Sequence, residues 1–216
     1  MNENQRKELL NEKKSGWLET DDEKYERKIF EFCNGYMEFL NRSKIEREFA
    51  ANAKKLAEEN GFKDVNTVEK LNPGDKVYFV NREKSVYLAV IGEQKLEKGL
   101  HIVGAHIDSP RLDLKPNPLY EDGELAYFNT HYYGGIKKYQ WTTIPLSIHG
   151  VMIKSNGEKI IINIGEDEND PIFTITDLLP HLAKDQEAKR LREAIEGENL
   201  DLLVGSIPIL DDESKQ

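Results

Sequence analysis

Residues 100–110 read LHIVGAHIDSP, and this stretch decides the expected fold. Its first part, LHIVGAH (100–106), is a short apolar run that predicts a buried β-strand. In an α/β sheet, the C-terminal end of such a strand opens into the crevice where ligands bind. His106 and Asp108 come at that end, two residues apart, so on an extended backbone their side chains point the same way.

The chemistry of His106 and Asp108 suits a metal site. An imidazole nitrogen can bind a metal ion while a neighbouring carboxylate bridges to the metal or orients the ring. A histidine and an aspartate at this spacing also occur in proteins where both residues are structural. The spacing alone leaves these two interpretations open.

Two amphipathic helices are predicted before this stretch, at residues 21–41 and 44–60. Each begins at a predicted capping box, in which a Ser or Thr and a Glu three residues later bond free backbone amides: Thr20 with Glu23, and Ser43 with Glu46. Apolar residues recur along the first helix at helical spacing and are predicted to pack in a core: Tyr25, Ile29, Phe32, Tyr36 and Phe39.

The segments between these helices and residue 110 carry strand patterns. KVYFV (76–80) and SVYLAVIG (85–92) flank a short turn and predict a β-hairpin. Helices followed by buried strands favour an α/β layered architecture. The fold class predicted from the residues is therefore α/β.

Beyond residue 110 the pattern changes, and we predict a domain boundary there between residues 1–110 and 111–216. Three prolines, at positions 110, 116 and 118, are expected to break up the backbone. Alternating apolar residues then predict a mostly antiparallel β unit, with strands in three segments: 141–153, 159–165 and 200–209. One charged segment, 184–196, has helical character.

The composition excludes several classes of protein. The chain of 216 residues has a formal net charge of −10, whereas nucleic-acid binding needs clustered Lys and Arg. A single cysteine, Cys33, provides neither a disulfide framework nor a cysteine zinc site. No apolar run approaches the roughly 20 residues of a membrane span, the N-terminus lacks a signal-peptide pattern, and no glycine-rich phosphate loop predicts a nucleotide cofactor. We expect a soluble, cytoplasmic protein with neither nucleic-acid nor membrane partners.

Three segments together resemble the M18 family of zinc metalloaminopeptidases, the aspartyl aminopeptidase and aminopeptidase I family. The first, HIVGAHIDSPRLDLKPNPLY (101–120), contains an H-x-D-S-P sequence like that of the family. The others are THYYGGIKKYQWTTIPLSIHGVMI (130–153) and AKRLREAIEGENLDLLVGSIPI (188–209). The resemblance implies the first part of a zinc-peptidase α/β/α sandwich in residues 1–110, followed by an inserted β-rich oligomerisation domain in 111–216.

The resemblance also implies roles for individual residues. His106 would be a zinc ligand, and Asp108 would be the catalytic acidic residue that orients the site. The segment PIFTITDLLPHL (171–182) is similar to a family segment whose histidine reaches the active site of a neighbouring subunit, which would make His181 a second metal-site histidine. The alternative for His181 is a surface histidine at a helix end beside Pro180.

The implied activity is removal of N-terminal amino acids, including acidic ones, from peptides by a homo-oligomeric enzyme with two zinc ions per active site. WTTIPL (141–146) replaces the family's W-F-D-R-D-L, which leaves substrate preference open. The family's remaining ligands and general base follow later in its sequences, and nothing resembling them follows Ile209. We therefore expect the N-terminal portion of a longer enzyme, inactive by itself and prone to self-association. The alternatives are a non-catalytic oligomerisation or interaction module, or a peptidase of another co-catalytic zinc family.

Overall fold

The computed structural model describes residues 6–7, 9–10, 15–18 and 23–207 of the chain. Its contacts divide the chain into two compact units, residues 1–100 and 101–216, which we describe separately. The content of helices and mixed or antiparallel sheets confirms the α/β class. No helix of the described residues is both long enough and apolar enough to cross a lipid bilayer.

Unit 1 contains two helices, α1 (Glu23–Asn41) and α2 (Glu46–Glu59), which confirm the predicted helices within the described residues. The prediction of a Ser43–Glu46 capping box is wrong. Ile45, not Ser43, occupies the N-cap position of α2, and no side chain caps the helix there. The free amide of Lys44 instead donates to the carboxylate of Glu48 at 2.8 Å. The Thr20–Glu23 box falls partly outside the described residues.

A three-stranded sheet completes unit 1: β1 (Lys63–Asp64), β2 (Lys76–Asn81) and β3 (Ser85–Val90). Strands β2 and β3 form the predicted hairpin, and β1 pairs with β2 in parallel. The turn of the hairpin has positive φ at Arg82 and Glu83, 50° and 59°. Two consecutive positive φ values match the right-handed twist of the flanking strands.

The predicted strand at 100–106 is wrong, because residues 101–110 have no regular secondary structure. Val103, placed at the centre of the expected buried run, is 100% exposed. A buried parallel strand needs neighbouring strands to bond its backbone, and no described strand pairs with this segment. The apolar side chains of this run, Leu100, Ile102 and Val103, lie on the surface of the described residues instead.

Unit 2 is built on a long hairpin, β4 (Arg111–Asp122) and β5 (Leu125–Tyr133), with β8 (Leu202–Gly205) pairing antiparallel to β5. The prolines at 116 and 118 do not break β4, contrary to expectation. The register shifts between Leu114 and Leu119, and proline is tolerated at such an irregularity because no ladder amide is needed there.

A second hairpin in unit 2 pairs β6 (Ile148–Ile153) with β7 (Lys159–Ile164). The predicted strand at 141–153 is therefore shorter than expected, and the amide of Thr143 instead bonds the carbonyl of Ile175 at 2.8 Å. The helical segment 184–196 forms two short helices, α3 (Lys184–Glu187) and α4 (Leu191–Ala194). Arg190 separates them with an extended backbone, ψ 146°.

Short 3-10 turns complete the secondary structure: Gly16–Leu18, Val65–Thr67, Leu96–Lys98, Lys138–Gln140 and Gly197–Asn199. The core of unit 2 joins residues that are distant in sequence: Phe173, Ile175, Ile195, Leu200 and Leu202. All strand pairs among the described residues of this unit are antiparallel, which confirms the mostly antiparallel character predicted for the second half. The assignment of residues 1–110 and 111–216 to two functional domains stays a prediction.

Candidate metal centre

His106 and Asp108 lie together in the irregular segment before β4. The Nδ1 atom of His106 is 3.0 Å from the backbone carbonyl oxygen of Asp108 and 3.2 Å from its Oδ1. The His106 side chain is 83% exposed, and no described residue hydrogen-bonds its Nε2. With hydrogen on Nδ1, the ring donates toward Asp108 and presents Nε2 outward.

The second carboxylate oxygen of Asp108 is held by Tyr133. The Tyr133 hydroxyl donates to Oδ2 at 2.9 Å. This hydrogen bond is the main reason that the pKa of Asp108 lies below its usual value, and the backbone amide of Asp108 and the His106 ring add to the effect. The carboxylate therefore stays ionised at neutral pH, in the form that can accept from both neighbours.

The hairpin β4–β5 places Tyr133 at this point. Arg111, the first residue of β4, lies directly opposite Tyr133, the last residue of β5. The Arg111 guanidinium sits 4.1 Å from the centre of the Tyr133 ring, and its Nε donates to Asp113 at 2.7 Å. Gly134 then turns with φ +82°, a conformation that favours glycine, and a Cβ at this position would come into ordinary contact with Pro110.

These residues fit one ligand of a zinc site. Metal-binding histidines commonly donate the other ring N–H to a carboxylate or carbonyl, which fixes the tautomer and the ring orientation. Protein zinc sites need three or four ligands. Among the described residues, no group of three or more His, Cys, Asp or Glu side chains could hold a metal ion. A zinc centre at His106 thus requires ligands from outside these residues.

The structure places His181 apart from this pair. It lies in an exposed turn after Pro180 and just before α3. Within residues 23–207, neither a hydrogen bond nor an ion pair joins His181 to His106 or Asp108. Its role in the site of a neighbouring subunit stays a prediction.

A second polar cluster, around His149, was not predicted from the sequence. The His149 side chain is only 7% exposed, and its Nε2 lies 2.9 Å from Glu166 and 3.0 Å from the Ser147 hydroxyl. Asp170 positions Glu166, because its carboxylate accepts backbone amides of the loop that follows β7. The one sequence signal that points to this cluster is the spacing of Ser147, which directly precedes β6, and His149 two residues later, since residues two apart on an extended backbone share a face.

Comparison with known proteins gives these residues their context. Residues 39–216 match the family described as aminopeptidase I zinc metalloprotease (M18). A probable M18 family aminopeptidase 1 of Clostridium acetobutylicum is 47% identical over 213 residues, covering 97% of this chain and 46% of that protein.

Solved structures are similar as well. The crystal structure of an M18 aminopeptidase from Thermotoga maritima has a TM-score of 0.85 and 45% identity, covering 94% of this chain and 44% of that one. The S. cerevisiae mApe1 dodecamer has the same fold, with a TM-score of 0.60 at 21% identity, over 85% of this chain and 40% of that one.

The chain spans about half the length of the curated relatives it matches. The family match extends over most of its residues, including the H-x-D segment and both hairpins of unit 2. The chain belongs to the M18 family of zinc metalloaminopeptidases.

Proposed function

We propose that this chain forms the N-terminal portion of a zinc aminopeptidase, to which it contributes His106 as a zinc ligand. The observation that carries the proposal is the geometry of His106, whose Nδ1 lies 3.0 and 3.2 Å from two oxygens of Asp108. That arrangement supports a fixed ring with Nε2 directed outward. It occurs in a chain whose family is described as zinc metalloprotease.

Zinc, when bound, polarises a carbonyl group and lowers the pKa of a bound water. The residues of this chain prepare the site for that chemistry. Asp108 holds the His106 ring in one tautomer and keeps its negative charge beside the ring. We assign Asp108 the role of orienting group, and the general base and the other ligands to residues outside those described.

We further propose that His181 acts in the site of a neighbouring subunit. Its exposed position before α3 makes it available to a second copy of the chain. The dodecameric state of the yeast relative supports a homo-oligomer. Mixing His106→Ala subunits with His181→Ala subunits tests this idea, because a pair of one subunit of each type retains one complete site.

When the two variants are mixed in equal amounts and their subunits reassociate at random, about half of the neighbouring pairs contain one subunit of each type. Each of these pairs has one complete site out of two, so about a quarter of the wild-type activity should return. Each variant alone should remain inactive. If the mixture stays as inactive as its components, while size-exclusion chromatography shows mixed oligomers, His181 does not act across subunits.

The alternative function is a non-catalytic oligomerisation or interaction module. The observation that favours it is that unit 2 has its own buried core, with Leu200 fully buried and Ile175 nearly so. Such a module needs no metal. Zinc binding that depends on His106 distinguishes an enzyme from this module.

The test of the proposed function uses the whole protein, with any sequence that accompanies this chain. The variants are His106→Ala and Asp108→Asn, and the matched control is His101→Ala. His101 is an exposed histidine of the same irregular segment, so its loss reports effects that are unrelated to the site. Zinc content, zinc dissociation constant and hydrolysis of Asp- and Leu-terminated chromogenic peptides are measured for each variant.

We expect His106→Ala to abolish both stoichiometric zinc binding and turnover, since it removes a metal ligand. Asp108→Asn should weaken zinc binding or activity by about 10–100-fold, as is usual for groups that orient a ligand. His101→Ala should behave as wild type. Full zinc occupancy and turnover in His106→Ala would overturn the proposal. A faster rate on Asp-terminated than on Leu-terminated peptides would support the acidic preference.

A further inference from the structure

Tyr133 ties the end of β5 in unit 2 to the carboxylate of Asp108 in the His106 segment. Its hydroxyl donates to Oδ2 of Asp108 at 2.9 Å, while Oδ1 of the same carboxylate lies 3.2 Å from His106 Nδ1. The two oxygens of one carboxylate thus have separate partners. A rotation of the carboxylate would disturb both contacts together.

The position of the Tyr133 ring is set independently of Asp108. Tyr133 is the cross-strand partner of Arg111, and the guanidinium lies 4.1 Å from the ring centre. The same guanidinium donates through Nε to Asp113 at 2.7 Å, so it is itself held in place. A cation over an aromatic face, in a fixed cross-strand pair, restricts the ring to one orientation.

The irregular segment before Asp108 does not provide this support. Residues 101–110 lack regular secondary structure, so backbone pairing does not fix the Asp108 side chain. The hydroxyl of Tyr133 compensates for this by reaching across from the end of β5. Gly134, with φ +82°, lets the chain turn beside Pro110 immediately after Tyr133.

We propose that Tyr133 is a positioning residue of the zinc site, which acts through Asp108 to orient the His106 imidazole. This inference rests on the proposed function, since it assumes that His106 binds zinc. The relevant group is the hydroxyl rather than the ring. Removal of the hydroxyl releases Oδ2, frees the carboxylate to rotate and lets the His106 ring sample orientations that bind zinc less well.

The experiment compares Tyr133→Phe with the matched control Tyr132→Phe in the whole protein. Both tyrosines are similarly exposed, at 41% and 38%, and each loses only its hydroxyl. Neighbouring residues of a strand point to opposite faces, so Tyr132 is directed away from Asp108. Zinc dissociation constants are measured by competition with a chromophoric chelator, together with kcat and KM.

Tyr133→Phe should raise the zinc dissociation constant by about 3–10-fold, below the 10–100-fold typical of a group that bonds the ligand directly. Turnover per bound zinc should fall, with KM nearly unchanged, because the altered group orients the metal rather than the substrate. Tyr132→Phe should leave the zinc dissociation constant within twofold of wild type.

A double-mutant cycle with Asp108→Ala tests the route of the effect. If Tyr133 acts through Asp108, the Tyr133→Phe change should have no further effect on zinc affinity once Asp108 is alanine. Additive losses, or a Tyr133→Phe protein with wild-type affinity, would overturn the inference. His106→Ala separates this failure from that of the proposed function, because undiminished zinc binding in His106→Ala means that the metal does not bind there at all.

Discussion

The two units of the chain bury their apolar residues to very different degrees. In unit 2, aliphatic and aromatic side chains from three separate segments converge, and Leu200 and Ile175 are inaccessible to solvent. Unit 1 buries smaller groups, chiefly Ala50, Ala57 and Val77, together with Tyr78. Its first helix exposes large residues, including Phe32 at 77%.

This difference shows that unit 2 forms a hydrophobic core from its own residues, whereas unit 1 leaves many of its large apolar side chains exposed. Monomeric proteins rarely expose large contiguous apolar patches, and such patches usually mark surfaces that another element covers. The face of α1 predicted to lie in a core remains on the surface of the described residues at Tyr25, Phe32 and Tyr36. The same holds for Ile102 and Val103 in the segment that was predicted to be a buried strand.

The comparison is tested most strongly by truncating Leu200. Leu200→Ala should destabilise unit 2 by about 2–5 kcal/mol, the usual cost of a cavity in a packed core. Val103→Ala, an apolar truncation at a fully exposed position of the same unit, should change stability by less than about 0.5 kcal/mol. Hydrogen exchange of β8 peptides at increasing urea concentration measures both.

If Val103→Ala destabilises unit 2 of the whole protein as much as Leu200→Ala does, residues 100–106 are buried in the whole protein. The difference in burial between these two positions would then hold only for residues 1–216 by themselves. Running the same pair on residues 1–216 alone decides between these cases. A small effect of Val103→Ala there, and a large one in the whole protein, would identify this run as an internal strand completed by other residues.

Self-association of residues 1–216 is the second test. Because α1 exposes an apolar face, we expect the isolated chain to form dimers or larger species at micromolar concentration. The double variant Phe32→Ser and Tyr36→Ser, at two exposed positions, should shift the distribution toward monomer. Light scattering measures both. A monodisperse wild-type monomer would contradict this expectation.

Local patterns predicted the elements of this fold better than they predicted burial. The helices, the β2–β3 hairpin and β7 were predictable because propensity, periodicity and turn residues act within a few positions. Burial of LHIVGAH (100–106) was not, because it depends on partner strands that an apolar run cannot specify. Of the predicted strand at 141–153, residues 148–153 form β6, but its first part was wrong for a similar reason, since the amides of Thr143 and Leu146 bond to residues 173–175.

The candidate site was predictable in part. The H-x-D spacing gave His106 and Asp108, and the structure brings their side chains together. The spacing gave no indication of Tyr133, because Tyr133 lies 25 residues after Asp108 and the two meet only through the register of β4 against β5. The cluster of His149 and Glu166 was missed similarly, since the loop that delivers Glu166 is shaped by amide bonds to Asp170.

The smallest expected effect concerns Tyr78, a buried tyrosine of unit 1. The Tyr78 hydroxyl donates to Glu58 at 2.7 Å, and this bond, together with burial, raises the pKa of Tyr78 to about 12 from 10.0. The folded state therefore favours the neutral phenol. Its contribution to stability is complete below pH 10 and is lost as the pH rises from 10 to about 12.

Hydrogen exchange of β2 peptides should accordingly accelerate between pH 10 and 12 beyond the intrinsic increase, and Tyr78→Phe should remove that excess. Tyr87→Phe is the control, because Tyr87 lies on the paired strand β3 with its side chain exposed. An excess that persists in Tyr78→Phe would mean that another group controls the alkaline opening. If it disappears, the stability of unit 1 depends measurably on a polar contact, whereas unit 2 depends on the apolar core that Leu200→Ala disrupts.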